Sequence, residues 1–343
     1  MDIKHIDSHI EKIDKIFHIS DVHIRTLKRH REYRQVFKTL FDHIETHATR
    51  NSIAVVTGDI VHSKLDMSPE LVQMLVDFFN GFTIPTIVIL GNHDMNLNNM
   101  HRIDAISPVL DVIKNPNIHF IKDNGLFEFG GVTWNHMAVD KTPADYIRAK
   151  DFTASYKIAL HHGAVNTAKT DIGYQISNEH VGVDLFEGHD ITLLGDIHKP
   201  EQYLNSEKTI AYPGSLIQQN YAEALVHGML VWDTATKKAE FVTIENDICY
   251  YTLEINNGNY TPIPANLKGK SIRLRVKSQE TENADLKTII GNIQTEFTIE
   301  EVVIQKSNDF TKNKQRVQKI NIGDVRDVEQ QNDLITKYLK NKF

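Results

Sequence analysis

Five times along this chain, a short apolar run of strand character ends directly in side chains that hold cations. Residues 15–20 lead into Asp21-Val22-His23, and residues 52–57 into Gly58-Asp59-Ile60-Val61-His62. Residues 84–90 lead into Gly91-Asn92-His93-Asp94, residues 157–160 into His161-His162-Gly163, and residues 191–194 into Gly195-Asp196-Ile197-His198. Ligand sites in α/β sheets gather beyond the carboxyl ends of strands, so these tips are expected to converge. In extended chain, residues i and i+2 share a face, so Asp21 with His23, and Asp196 with His198, can each aim two donors into one cavity. Taken singly, an Asp-x-His, a Gly-Asp or a His pair at a strand end is an ordinary solvated turn. The joint occurrence of all five makes them a metal site.

The donor set mixes carboxylate, amide oxygen and imidazole without cysteine, which favours Mn²⁺, Mg²⁺ or Fe over a structural zinc. The donors outnumber the needs of one ion. Two ions ~3.5–4 Å apart sharing a carboxylate use them all, and such a pair clamps the attacking and leaving oxygens of an in-line displacement at phosphorus.

The surrounding sequence predicts a layered α/β fold. Residues 31–47 carry Val36, Phe37, Leu40, Phe41 and Ile44 at helical spacing. Residues 69–80 open on a Ser-Pro start and place Leu71, Met74, Leu75, Phe78 and Phe79 on one face. Strand–helix–strand–helix–strand is the pattern of a layered sheet. Denser strand signals follow at 118–121, 132–135, 157–160, 191–194, 209–212 and 229–232, enough for a second sheet packed on the first. Residues 258–270 (GNYTPIPANLKGK) read as a linker. The expected domains are 1–257 for the catalytic body, 258–306 for a small strand–helix–strand cap, and 307–343 for a linker and terminal helix at 325–339.

A net charge of −7 over 343 residues excludes a protein that coats nucleic acid by overall positive charge. A single cysteine, Cys249, excludes a disulfide framework within the chain and suits a reducing compartment. The amino terminus lacks the apolar core of a signal peptide, and no apolar run approaches the ~20 residues that span a bilayer. An intracellular, cytoplasmic protein with no membrane association is expected.

The order of Asp21-x-His23, Gly58-Asp59, Gly91-Asn92-His93-Asp94, His161 and Gly195-x-x-His198 resembles the calcineurin-like metallophosphoesterase superfamily. Within it, His62 and Tyr212-Pro213-Gly214-Ser215-Leu216 followed by a Gln-Gln pair resemble the SbcD-type nuclease subunit, the bacterial and viral counterpart of the eukaryotic meiotic-recombination nuclease. The resemblance covers residues 16–233 and implies an α-β-β-α metallophosphoesterase sandwich with a small α/β capping domain. It implies that Asp21, His23 and His198 bind one ion, that Asp59 bridges, and that Asn92, His161 and Asp196 bind the second. His93 would protonate or stabilise the leaving oxygen, oriented by Asp94, and His62 would position the scissile phosphate. His161 is preferred to His162 because the family pattern is His-x-Gly; spacing alone does not decide. Where the family reads Gly-His-x-His, this chain has Gly195-Asp196-Ile197-His198, and the extra hard oxygen favours Mn²⁺, with Mg²⁺ the alternative.

The implied activity is 3′-to-5′ exonuclease and endonuclease action on DNA ends in double-strand-break repair. The implied partners are a coiled-coil ATPase of SbcC type and a second copy of the chain, met through helices such as residues 100–113. Arg25, Lys28, Arg29 and Arg31 follow the first motif and are candidate DNA-backbone contacts, as are Lys312, Lys314, Arg316 and Lys319. Two other readings compete: a phosphodiesterase or phosphatase for a small molecule or phosphoprotein, and a non-catalytic DNA-end scaffold.

Overall fold

The computed structural model describes residues 3–177 and 181–306; the basic cluster at 312–319 and the expected helix at 325–339 lie outside them. The chain divides after Tyr250. In the first unit, two sheets carry the architecture. The six-stranded sheet runs, in spatial order, Lys238–Thr243, Gly228–Asp233, Lys15–Ile19, Ser52–Thr57, Thr86–Ile89 and Ile118–Phe120. The last four are parallel; the helices His30–His47 and Pro69–Asn80 make the first two of their three connections. The seven-stranded sheet runs Lys4–His5, Gly125–Phe129, Val132–Met137, Lys157–His162, Ile191–Gly195, Ile210–Tyr212 and Gln202–Tyr203.

Alternation along each strand divides the core into layers. Ile16, Ile53, Val55, Ile87, Ile89, Leu230 and Trp232 face Trp134, Ile158, Leu160, Ile191 and Leu193 between the sheets. The opposite face of the first sheet, with Phe17, Ile19, Ala54, Val56 and Val88, is covered by Val36, Phe37, Leu40, Leu71, Met74 and Phe78 of the two helices. The helix Pro69–Asn80 begins where the Ser68 hydroxyl accepts the Leu71 amide, with proline at its first turn. The outer face of the seven-stranded sheet, with Ala159 and Leu194, packs instead against Tyr146, Val165, Leu185 and Phe186, which stand on loops and 3₁₀ turns among the described residues. Residues 100–113, expected to form a helix, are helical only at Ser107–Leu110. No helix among the described residues is long and apolar enough to cross a membrane.

The second unit is built on a four-stranded sheet in the order Asn259–Tyr260, Ile248–Asn256, Ser271–Gln279 and Thr298–Lys306. The last two strands are parallel and joined through the helix Asn283–Glu296, which buries Leu286 and Ile293. The strand Ile248–Asn256 precedes the polar linker and already belongs to this sheet, so the linker at 258–270 is a connection within it.

Candidate metal centre

Three neighbouring strands of the six-stranded sheet and two of the seven-stranded sheet end at one place. Past Lys15–Ile19 come Asp21 and His23, past Ser52–Thr57 Asp59 and His62, and past Thr86–Ile89 Asn92 and His93. His162 closes the strand Lys157–His162, and Asp196 and His198 follow Ile191–Gly195. The backbone is strained here. Asp21, His23, Asp59 and Asp196 have φ of 52°, 50°, 52° and 101°, a region non-glycine residues avoid. Each such residue costs on the order of 1–3 kcal/mol, which marks a constellation held by its surroundings for a purpose. Part of that hold is visible: the Asp21 amide donates to the Gly58 carbonyl at 3.1 Å and the His23 amide to Asp59 at 2.9 Å.

Asp59 faces both halves of the site. Its Oδ2 is 3.6 Å from His23 Nε2, and its Oδ1 is 3.3 Å from His162 Nε2. On the first side, His23 Nε2 and His198 Nε2 are 2.9 Å apart, and each lies 3.7 Å from Asp21 Oδ1. On the second, His162 Nε2 is 3.9 Å from Asp196 Oδ1, which the Asn92 amide approaches at 3.5 Å. Donors around one divalent ion with ~2.0–2.2 Å bonds stand ~3.0–3.4 Å apart, so small adjustments make this two cation pockets sharing one carboxylate. Asp21 Oδ1, Asn92 Oδ1 and His162 Nε2 are buried without hydrogen-bond partners, a costly state for groups that have no use. The electrostatics agree. Burial works against charge on His162, yet the adjacent Asp59 carboxylate raises it well above the usual histidine value, and Asp59 itself, also buried, is held below the usual carboxylate range, chiefly by His162. The cluster draws positive charge into itself. The buried, sulfur-free oxygen and nitrogen donors fit two divalent cations.

The second-sheet histidine differs from expectation. His161 points to the other face of its strand, where Nδ1 meets the Met137 carbonyl at 3.0 Å and the ring packs against Tyr146 and Phe186. His162 stands at the centre, its Nδ1 donating to the Thr57 carbonyl at 2.7 Å, which leaves Nε2 for a cation. The glycines of three motifs make room for its ring: a Cβ on Gly58, Gly91 or Gly195 would lie 2.6, 2.8 or 2.7 Å from an imidazole atom of His162.

Asp94 also acts otherwise than expected. Its Oδ1 accepts the Ile60 and Val61 amides at 2.8 and 3.0 Å, and its Oδ2 accepts the Gly91 amide at 2.9 Å. It therefore locks two motif loops together, and the His93 ring is oriented by the His62 carbonyl, 2.7 Å from Nδ1. The His93 amide meets Asp59 Oδ1 at 2.8 Å, and its ring centroid lies 4.8 Å from that of His23. His62 joins His23 and His93 in a third donor group, and Arg25 Nη1 lies 3.3 Å from His62 Nε2.

Of the expected DNA contacts, Arg25 lies beside the site, and Lys28 and Arg31 are exposed. Arg29 is not available. Its side chain is 4% exposed, makes two 2.8 Å bonds to the Glu32 carboxylate, and donates to the Gln218 carbonyl at 2.7 Å. Glu223 was missed by sequence reasoning: its Oε1 lies 2.8 Å from His198 Nδ1. No local signal marks it, because it lies 25 residues beyond His198 and outside every motif.

Two sheets meet at a doubly faced carboxylate with histidines on both sides, a donor arrangement that could hold divalent metal ions. A family model of the calcineurin-like phosphoesterases matches residues 14–207, and the chain belongs to that family. It is similar to uncharacterized protein R555 of Acanthamoeba polyphaga mimivirus, 40% identical over 316 residues, which cover 88% of this chain and 23% of that protein. It is also similar to the DNA double-strand break repair protein Mre11 of Archaeoglobus fulgidus, 25% identical over 235 residues, covering 61% of this chain and 52% of that protein. The chain thus spans about a quarter and about half the length of these two relatives.

Proposed function

We propose that this phosphoesterase hydrolyses DNA with two divalent ions, preferably Mn²⁺, as the nuclease of a double-strand-break repair assembly. The observation that carries the two-ion reading is the Asp59 carboxylate, whose oxygens face separate histidine groups at 3.6 and 3.3 Å. The DNA reading is supported by the similarity to an archaeal double-strand-break repair protein over 61% of the chain. It is also supported by the Arg25–His62 pair at the rim, a cation and an imidazole suited to a phosphodiester.

Bound divalent cations would supply Lewis-acid polarisation of the phosphoryl group and acidify a water nucleophile. The chain's own residues do the rest. Asp21, His23, Asp59 and His198 would hold one cation, and Asp59, Asn92, His162 and Asp196 would hold the other. His93, its Nδ1 proton engaged by the His62 carbonyl, presents Nε2 to the leaving oxygen. A positioned acid of this kind contributes typically ~10²–10⁴-fold. Arg25 and His62 orient the phosphate, while Asp94 keeps the two loops in register. A coiled-coil ATPase partner and a homodimer belong to this proposal through the family resemblance.

The test compares wild type and His93→Ala on end-labelled linear duplex, circular single-stranded DNA and bis-p-nitrophenyl phosphate in Mn²⁺. DNA cleavage abolished by His93→Ala, with metal content unchanged, is expected. Hydrolysis of the small ester with DNA untouched would move the protein to a small-molecule phosphodiesterase, and inactivity on every substrate with both ions bound would leave a scaffold.

A further inference from the structure

We propose that Glu223 is a positioning residue for the cation site, its carboxylate fixing the tautomer and ring orientation of His198. The proposal rests on the two-cation reading above. A carboxylate only accepts, so the 2.8 Å contact between Glu223 Oε1 and His198 Nδ1 places the proton on Nδ1. The lone pair is then on Nε2, the atom that faces His23 Nε2 at 2.9 Å and Asp21 Oδ1 at 3.7 Å. His198 needs such a hold. It stands on a loop beyond its strand with 28% of its side chain exposed, whereas His23 and His162 are 3% and 0% exposed. His162 is fixed by a backbone carbonyl in the sheet.

Glu223 is itself immobilised. Its Oε1 also accepts Asn220 Nδ2 at 2.8 Å, and its Oε2 accepts the Gln219 amide at 2.5 Å. Its backbone carbonyl accepts Gln218 Nε2 at 3.1 Å. Gln218 is in turn gripped by the Tyr250 amide at 2.7 Å and by Arg29 Nη2 at 2.7 Å. The Gln218 side chain thus pins the backbone of the Glu223 turn, while the backbone amide of Gln219 holds the carboxylate itself. The side chain of Glu223 is 4% exposed, so its negative charge is little screened where it meets the imidazole. With Asp21, Asp59 and Asp196 it forms a fourth carboxylate at the site, matching the charge of two divalent ions. Partners that orient a metal-binding histidine through its second nitrogen typically contribute ~10–100-fold to metal affinity.

The experiment is calorimetric titration of Mn²⁺ into the metal-free full chain, with melting curves and circular dichroism alongside. Wild type should bind two ions. Glu223→Ala should weaken one of them about 10–100-fold and leave the other unchanged. The isosteric Glu223→Gln, which keeps a neutral acceptor and the loop volume, should weaken the same ion about three- to tenfold, because a charge-assisted bond is roughly twice as strong as a neutral one. Asn220→Ala removes a bond to the same carboxylate without touching His198 and should bind both ions as wild type does; a loss there equal to that of Glu223→Ala would assign the effect to the loop and overturn the proposal. Wild-type affinity at both sites in Glu223→Gln would overturn it as well, with the two-cation reading intact. A wild-type chain that binds fewer than two ions would instead overturn that reading.

Discussion

Replacing His162 and His161 one at a time separates the proposed metal ligand from its neighbour in the core. His162→Ala removes the Nε2 atom 3.3 Å from Asp59 Oδ1 and its buried anchor on Thr57. Since even an orienting partner is worth ~10–100-fold in metal affinity, loss of the donor itself should weaken one ion by more than about 100-fold. Hydrolysis of bis-p-nitrophenyl phosphate at sub-saturating Mn²⁺ should fall in proportion. His161→Ala instead deletes a buried ring packed on Tyr146 and Phe186 and its bond to the Met137 carbonyl. The lost hydrogen bond and the cavity together cost about 2–4 kcal/mol of stability, with both ions retained. Metal content by mass spectrometry, chemical denaturation and ester hydrolysis, run on both variants, give opposite patterns. If His161→Ala loses an ion and His162→Ala keeps both, the placement of the second-sheet ligand is refuted.

Three further outcomes follow from the same geometry. Arg29→Ala breaks a buried ion pair by removing the guanidinium from the Glu32 carboxylate, whose side chain is 1% exposed, and should cost about 3–5 kcal/mol in urea denaturation, whereas Lys28→Ala and Arg31→Ala leave stability unchanged; equal stabilities for all three would contradict the buried pair. Burial lowers His136 from 6.5 to about 4. Its folded-state value therefore lies below its unfolded one. The corresponding stabilisation, about 3 kcal/mol, is complete above pH 6.5 and is lost as pH falls toward 4, so His136→Gln should flatten the pH dependence of the unfolding free energy in that window. Asp196→His should retain phosphodiesterase activity while shifting metal preference away from Mn²⁺ and Mg²⁺; a dead variant with both ions bound would defeat the assignment of Asp196 as a replaceable donor.

What the sequence determined by itself was local. The helices at His30–His47 and Pro69–Asn80 follow from apolar residues at a 3.6-residue period, and the strand Ser52–Thr57 from an unbroken apolar run. The donor-bearing tips were legible because strand, turn glycine and ligand are contiguous in sequence. Strands such as Gly125–Phe129 and Lys238–Thr243 were not, since their alternation is interrupted and their pairing is decided across the sheet.

Only the tertiary structure chose His162 over His161. Adjacent residues on a strand face opposite sides, and here both sides are buried, so hydrophobicity carries no record of which face looks toward the site. The choice was made by Gly58, Gly91 and Gly195, whose missing side chains leave space for one imidazole. Asp94 and Arg29 were misread for a related reason. Their charges suggest chemistry, but their partners are the amides of Ile60, Val61 and Gly91 and the Glu32 carboxylate, groups whose positions depend on packing. Glu223 lay beyond sequence reasoning altogether, because the chain crosses from one sheet to the other between Tyr212 and Gly228 and only that crossing sets it against His198.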